Sequence, residues 1–587
     1  MSTETQALSI ITADIGATVT HATLIERVEG TYRLVARAEA PTTLAGDEVD
    51  VTIGLGHAIL DLEEIVQRRL LGDAGPLMPE NATGEGVDLL VATCSAAPPL
   101  RTVIVGLTDH LSVQSARRAC AASPVRLEKT VSLGTRFHHW EEETLAELYR
   151  DPPEVLILVG GADAGSTTPL ESAAGVLTTL YERMPEERRP VVVFAGNLEA
   201  RRPIMQLVSP VMELRVVDNV RPSIHVESLG ELEREIGLLY EQRALPRVPG
   251  YERLAEWASA PIRPTTEGLD TTLRFIARRV PGGQGALAVD VGGMTTHAAT
   301  ARDQGHHWAT CADTGTSYGL AGVLARVGVE GLARWLPRRL DGEEIAARLR
   351  NAMVRPRSVA GSGEELLLVH AALRESLTAA MGLLRQQHWG RLDGDLTTPP
   401  FDLIAARGGV VAHTPNLSLV ALSLLDAIQP VGLTRLVVDW AAVWPALGVL
   451  AAIEPLAAVQ VLEQDAFRDL GTVIAPRGTD EPGMPALQVA MVRDSGQLTE
   501  LEVAAGSIVR LPLELGEEAT IEVRPSRYFD IGLGRWGVGG RATVRGGGLG
   551  IVIDARGRPL ALPTDEREAR RCMVEWLRSL EGDADGP

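Results

Sequence analysis

Three stretches of this chain carry residue types suited to holding a phosphate and a metal. The first is Asp290-Val291-Gly292-Gly293-Met294-Thr295-Thr296-His297, where an apolar strand ends in an acid, turns on two glycines and reopens with two hydroxyls. Asp14-Ile15-Gly16-Ala17-Thr18-Val19-Thr20-His21 repeats it near the N-terminus. Laid together without a gap, the two share the Asp, the first Gly, the Thr-His pair and the Ala after it. The third stretch is a strand, Phe401 to Ala405, running into Ala406-Arg407-Gly408-Gly409-Val410-Val411-Ala412-His413.

An acid at a strand end can hold a hydrated Mg2+ against nucleotide phosphates. Glycine lets the backbone approach closely, and hydroxyls and N–H groups then donate to phosphate oxygens. Asp14 and Asp290 are therefore the candidate catalytic and metal-organising residues. Gly16, Thr18, Thr20, Gly292, Gly293, Thr295 and Thr296 are candidates for lining the phosphates. Gly408 and Gly409 could pass under an adenosine, with a helix N-terminus beyond them favouring negative charge. Gly160-Gly161-Ala162-Asp163-Ala164-Gly165 also follows a buried strand. It reads either as a phosphate or partner loop, through Gly160, Gly161 and Asp163, or as a structural turn.

Two matching hairpins predict two similar lobes facing a cleft. Residues 8–38 read as a three-strand meander, followed by a helix from about Gly54 to Leu71. Apolar strands at Val87–Ala92, Arg101–Val105, Val155–Val159, Val191–Ala195 and Leu214–Val217 alternate with charged amphipathic segments, which implies a mostly parallel sheet. These elements are assigned to a first lobe, 1–245. The Pro- and Arg-rich 246–284 reads as a linker. A second lobe, 285–480, opens on the repeated hairpin and contains a long helical region, 319–389. From 481 to 587, alternating strands with Gly/Pro turns predict a small antiparallel β domain and a closing helix.

Composition narrows the function. The chain has 587 residues, too many for one core. Its net charge of −21 argues against nucleic-acid binding over a broad surface. Lys129 is its one lysine and has no glycines before it, which excludes a Walker A loop. Cys94, Cys120, Cys311 and Cys572 are scattered, as in a reducing cytoplasm. The opening residues lack the basic start and apolar run of a signal peptide. The apolar stretch from Ala441 to Leu462 holds Pro445, Pro455 and Glu454, so buried helices are expected there and no membrane span. His138-His139 and His306-His307 have no i, i+4 partner and are read as surface or packing residues.

The ordered set of motifs resembles the actin-like ATPase superfamily. Within it the chain is similar to the accessory protein of adenosylcobalamin-dependent glutamate mutase, the MutL/GlmL type, which is unrelated to the mismatch-repair protein. The matching stretches are Asp14-Ile15-Gly16, Cys94-Ser95-Ala96-Ala97, Leu156 to Gly165, Phe194-Ala195-Gly196-Asn197, Asp290 to Thr296, Gly408 to His413, Leu425 to Pro430 and Arg545 to Gly550. The resemblance implies a two-lobed, ribonuclease H-like α/β fold with an added C-terminal antiparallel β domain. It implies ATP or ADP with Mg2+ as cofactors, and B12-dependent mutase subunits as partners. A homo-oligomer is left open. ATP-driven closure of the lobes would help the mutase exchange damaged cofactor. The chain departs from the pattern at His21, His297 and Arg407, where the family would carry Lys, Asp and Ser. These replacements imply nucleotide binding with slow or lost hydrolysis. Two alternatives stand beside this reading: a small-molecule kinase or ATP-driven amide hydrolase on the same fold, and a non-hydrolysing scaffold with a degenerate cleft.

Overall fold

The computed structural model describes residues 9–46, 48–133, 140–303, 305–389 and 398–582. His138-His139, the opening residues and the end of the tail lie outside them. The chain divides into two units: Met1–Ala96, Val248–Ala309 and Asp313–Pro587 form one, and Ala97–Arg247 with Thr310–Ala312 the other.

In the first unit, β1 (Ser9–Ile15) is buried at every position, as a strand inside a covered sheet must be. β2 (Val19–Val28) and β3 (Thr31–Pro41) follow it antiparallel. α1 (Val51–Val66) starts where the Asp50 carboxylate accepts the Thr52 N–H at 2.8 Å. β4 (Leu89–Cys94) then runs parallel to β1.

The next five strands belong to the second unit. β5 (Leu100–Gly106), β6 (Val125–Ser132), β7 (Val155–Val159), β8 (Val191–Phe194) and β9 (Leu214–Val216) form a wholly parallel sheet in the order β9-β8-β7-β5-β6. Its core includes Leu156, Leu158, Leu170, Leu177 and Phe194. Sequence alone places these strands in a first lobe of 1–245. Periodicity identifies each strand but does not show its neighbours, and these pair only among themselves.

The first unit resumes with β10 (Arg263–Pro264), parallel to β4, and α2 (Thr265–Ala277). The stretch expected as a linker, 246–284, thus supplies the last strand of a sheet ordered β10-β4-β1-β2-β3.

The second half repeats this order. It contains β11 (Ala286–Val291), β12 (Thr296–Arg302), β13 (Gly305–Cys311), α3 (Gly363–Leu384), β14 (Leu403–Arg407), α4 (Gly409–His413), α5 (Leu417–Ile428), β15 (Gly432–Asp439) and α6 (Trp444–Leu450). Its strands run β13-β12-β11-β14-β15. Register repeats too: Asp14 faces His21 across its hairpin, and Asp290 faces His297. α2 and α6 cross glycine to glycine. A Cβ on Gly448 would lie 2.0 Å from the Gly268 carbonyl oxygen, and one on Gly268 would lie 2.2 Å from that of Pro445. The helical segment Gly363–Trp389 is long and apolar enough to cross a membrane, yet 67% of its apolar window is buried inside the fold.

The C-terminal region continues the second half. β16 (Phe467–Ala475) joins the edge of β15 and begins an extension. β17 (Pro485–Arg493), β18 (Leu498–Ala504), β20 (Glu518–Pro525) and β21 (Gly540–Arg545) form the expected antiparallel sheet, ordered β18-β17-β20-β21. β19 (Ile508–Leu511) and β22 (Ile551–Asp554) leave it and carry the larger sheet outward from β16. α7 (Glu566–Glu581) closes the chain, capped by Asp565. A buried ionic network joins these parts. Asp426 of α5 accepts from Arg374 of α3 at 2.6 Å and from Arg556 at 2.7 Å. Asp554 accepts from Arg556 at 2.9 Å and from Arg558 at 2.6 Å.

Candidate functional site

The two hairpin loops and the Gly408-Gly409 turn open on one cavity of about 830 Å³. Asp14, Gly16, Thr18, Asp290, Gly292, Gly293, Thr295, Gly408 and Gly409 all line it. Strand alternation takes Thr20 and Thr296 elsewhere. Both are fully buried; Thr20 hydrogen-bonds Thr42 at 2.9 Å, and Thr296 donates to the Thr314 carbonyl at 2.9 Å. Gly160, Gly161 and Asp163 belong to the second unit. Asp163 there accepts the Leu198 N–H and the Asn219 amide, each at 2.9 Å, so its carboxylate ties three loops together.

Gly408 is the one residue type its position allows. Its φ of +117° and a Cβ that would lie 2.1 Å from the Val291 carbonyl oxygen exclude a side chain. At Gly409 a Cβ would meet nothing within 4 Å.

Arg407 stands beside this turn at the end of β14, next to Asp290 in register. The residue is 7% exposed, and its guanidinium reaches three carboxylates. It donates to Asp290 Oδ2 at 2.6 Å and to Asp14 Oδ2, and its Nε lies 3.3 Å from Asp439 Oδ2. The other oxygen of Asp14 accepts the hydroxyls of Thr93 and Thr265, each at 2.7 Å. Asp439 also accepts the Val443 and Trp444 N–H groups at the start of α6. Burial acts to raise the Asp14 carboxyl, but Arg407 and the two threonines outweigh it and hold it below the usual range. Burial wins at Asp439, which is pushed up to about 6 against the pull of Arg407. The arginine itself is raised by its acids, against burial.

These residues do not fit Mg2+ in the role the resemblance gives them. Mg2+ demands near-octahedral oxygen ligands. Asp14 is 4% exposed with both oxygens engaged, and Asp439 is fully buried. Asp290 Oδ1 alone is without a hydrogen-bond partner. That one oxygen sits beside a fixed positive charge, which repels a dication.

Histidines fill the positions where the family pattern has lysine and aspartate. His21 Nδ1 lies 3.4 Å from Glu39 Oε2, and His413 Nε2 approaches the same oxygen at 3.0 Å. The two hold Glu39 well below its ordinary pKa. His297 pairs with buried Asp270 at 3.1 Å, and His306 lies 3.8 Å from the same oxygen. His306 is thus a packing residue, as its spacing predicts. Arg355 and Arg357 of the loop before α3 also line the cavity, and Arg357 donates to the Thr42 carbonyl at 2.8 Å.

Sequence reading missed Asp439, Thr93, Thr265, Glu39 and the reach of Arg407. Asp439 did leave a signal: Leu436-Val437-Val438-Asp439 is a third apolar strand ending in an acid.

Two halves of ribonuclease H-like strand order, each presenting an Asp-x-Gly hairpin to one cleft, define the actin-like ATPase fold. The chain belongs to the MutL protein family, whose model matches residues 10–466. Protein MutL of Clostridium tetanomorphum is 22% identical over 290 residues, which cover 48% of this chain and 55% of that one. The chain therefore spans about half the length of the curated relative it matches. Solved structures align over long stretches at low similarity. Nucleotide-free acetone carboxylase matches with a TM-score of 0.36 and 11% identity, covering 85% of this chain and 81% of that one. A nucleotide-free diol dehydratase-reactivating factor matches with a TM-score of 0.30 and 12% identity, covering 78% and 99%.

Proposed function

We propose that the cleft binds an adenine nucleotide and that the protein is an accessory or reactivating chaperone of a cobalamin-dependent mutase, with glutamate mutase the first candidate. One observation carries the nucleotide reading: both Asp-x-Gly loops and the Gly408-Gly409 turn converge on a single cavity. Its size falls in the range of ligand pockets. The gamma-phosphate end would face Thr18 and Thr295, and the adenosine would lie over Gly408 and Gly409. Membership of the MutL family supports the accessory role.

A nucleotide that prefers the closed cleft would draw the halves together. Contacts of β3 and the segment after it with the second half, such as Glu39–His413 and Arg357–Thr42, would respond first. Asp14 and Asp290 are committed to Arg407, so Arg407 favours a nucleotide-responsive clamp over a fast hydrolase.

The test is calorimetric titration of ATP and ADP into the full chain and into Gly409→Phe. The new side chain has room at its Cβ and would fill the cavity. Wild type should bind and the variant should not, with unchanged thermal unfolding. Equal binding by both would overturn the placement of the adenosine. A mutase co-expressed with the chain should be retained by it in a nucleotide-dependent manner.

A further inference from the structure

The acid cluster at the base of the cleft already holds a cation, and that cation is part of the chain. We infer that Arg407 takes the place of a divalent metal among Asp14, Asp290 and Asp439, so that the cleft accepts its nucleotide metal-free. The second clause rests on the nucleotide reading above; the first does not.

The geometry is that of a filled site. One guanidinium presents donors in a fixed planar fork and cannot lose its charge in a protein. All three of its nitrogens are within ion-pair distance of a different carboxylate. Asp14 Oδ1 has spent both acceptor directions on Thr93 and Thr265. The Asp439 oxygens face the first N–H groups of α6 and the arginine. Asp290 Oδ1 is the one carboxylate oxygen of the three acids left without a partner. A second cation would therefore find a single protein ligand beside a fixed positive charge unless Arg407 were expelled, and expulsion would strand three acids of which two are buried. Such a step is costly because a buried charge that loses its partner is left uncompensated.

The side chain is also fixed from behind. Arg407 is the last residue of β14 and lies beside Asp290 of β11 in register. Gly408 follows with a backbone that no other residue adopts without strain, so the chain turns away immediately while the guanidinium stays among the acids. Charge for an incoming polyphosphate is supplied at the rim instead. Arg355 and Arg357 line the cavity there. An arginine contact to phosphate needs no bridging metal.

Two arms test this on the full-length protein. In the first, Mn2+ alone is titrated and free Mn2+ is followed by electron paramagnetic resonance. Wild type should show no submillimolar site. Arg407→Ser, which frees the acids, should gain one, and adding Asp290→Asn should remove it. A Mn2+ site in wild type that Asp290→Asn abolishes would overturn the inference, and this comparison stands even if Arg407→Ser does not fold. In the second arm, ATP affinity of wild type is measured with EDTA and with Mg2+. The two values should agree within about twofold, and a loss of about tenfold or more in EDTA would overturn metal-free entry. Absence of ATP binding in both conditions would instead sink the nucleotide reading, while the Mn2+ arm still decides what fills the acid cluster.

Discussion

At the scale of single residues, the acids of the cleft were legible and their partner was not. Asp14 and Asp290 stand out because an acid at the end of an apolar strand needs a reason. Arg407 reads as bulk in a glycine turn, since nothing in a linear sequence says which strands are neighbours. Only the parallel pairing of β11 with β14 puts it beside Asp290. The same blindness hides the network of Asp426, Asp554, Arg374, Arg556 and Arg558. Its acids are fully buried, and two of its arginines, Arg556 and Arg558, serve Asp554. Removing one partner of such a group leaves a buried charge alone. Asp554→Ala should therefore cost about 3–5 kcal/mol of stability in denaturant unfolding. Glu566→Gln breaks an exposed pair with Arg570 and should cost under about 1 kcal/mol. Equal effects would show that the buried network is not a structural clamp.

At the scale of elements, helices and hairpins followed their local rules closely. Ser362 caps α3 by accepting the Glu365 N–H, and Asn416 caps α5 through Leu419. Both are polar residues standing just before apolar periodicity, a pattern visible in sequence. The packing of α3 was less visible. His370 lies fully buried on it, between the hydroxyls of Ser423 at 2.8 Å and Thr414 at 2.9 Å. Thr414 ends the short helix that follows Gly408, so this histidine supports the cleft from below. Burial, with Arg374 nearby, lowers its pKa to about 3. Between that value and the ordinary 6.5 of histidine, the unfolded chain binds a proton that the folded chain refuses. Stability therefore falls as pH drops below 6.5, by about 2 kcal/mol at pH 5. His370→Gln should flatten the pH dependence between 7 and 5 in denaturant titrations. An unchanged slope would mean that other groups carry the acid sensitivity.

For the molecule as a whole, sequence showed the duplication but not the partition. The repeated hairpin made two matching halves legible. The strands from Leu100 to Val216 look like any others in an α/β chain, yet they close a sheet and core of their own. A unit with its own core is expected to melt as its own cooperative step. Scanning calorimetry should resolve at least two transitions, and nucleotide should raise only the one belonging to the unit that holds the cleft. At a hundredfold excess over Kd the shift corresponds to about 2.7 kcal/mol. One transition, or both moving together, would show that the two units unfold as one. The shared register of the halves has a last consequence. The residue beside Asp14 on β4 is Thr93, and the residue beside Asp290 on β14 is Arg407. Each donates to its own acid, but only the arginine extends to both. Two identical copies of this half could not have built the site. Two threonines would leave the acids facing each other unneutralised, and two arginines would crowd like charges into space for one. Joining both copies in one chain lets them differ at this position, and an unequal pair can be neutralised by one side chain.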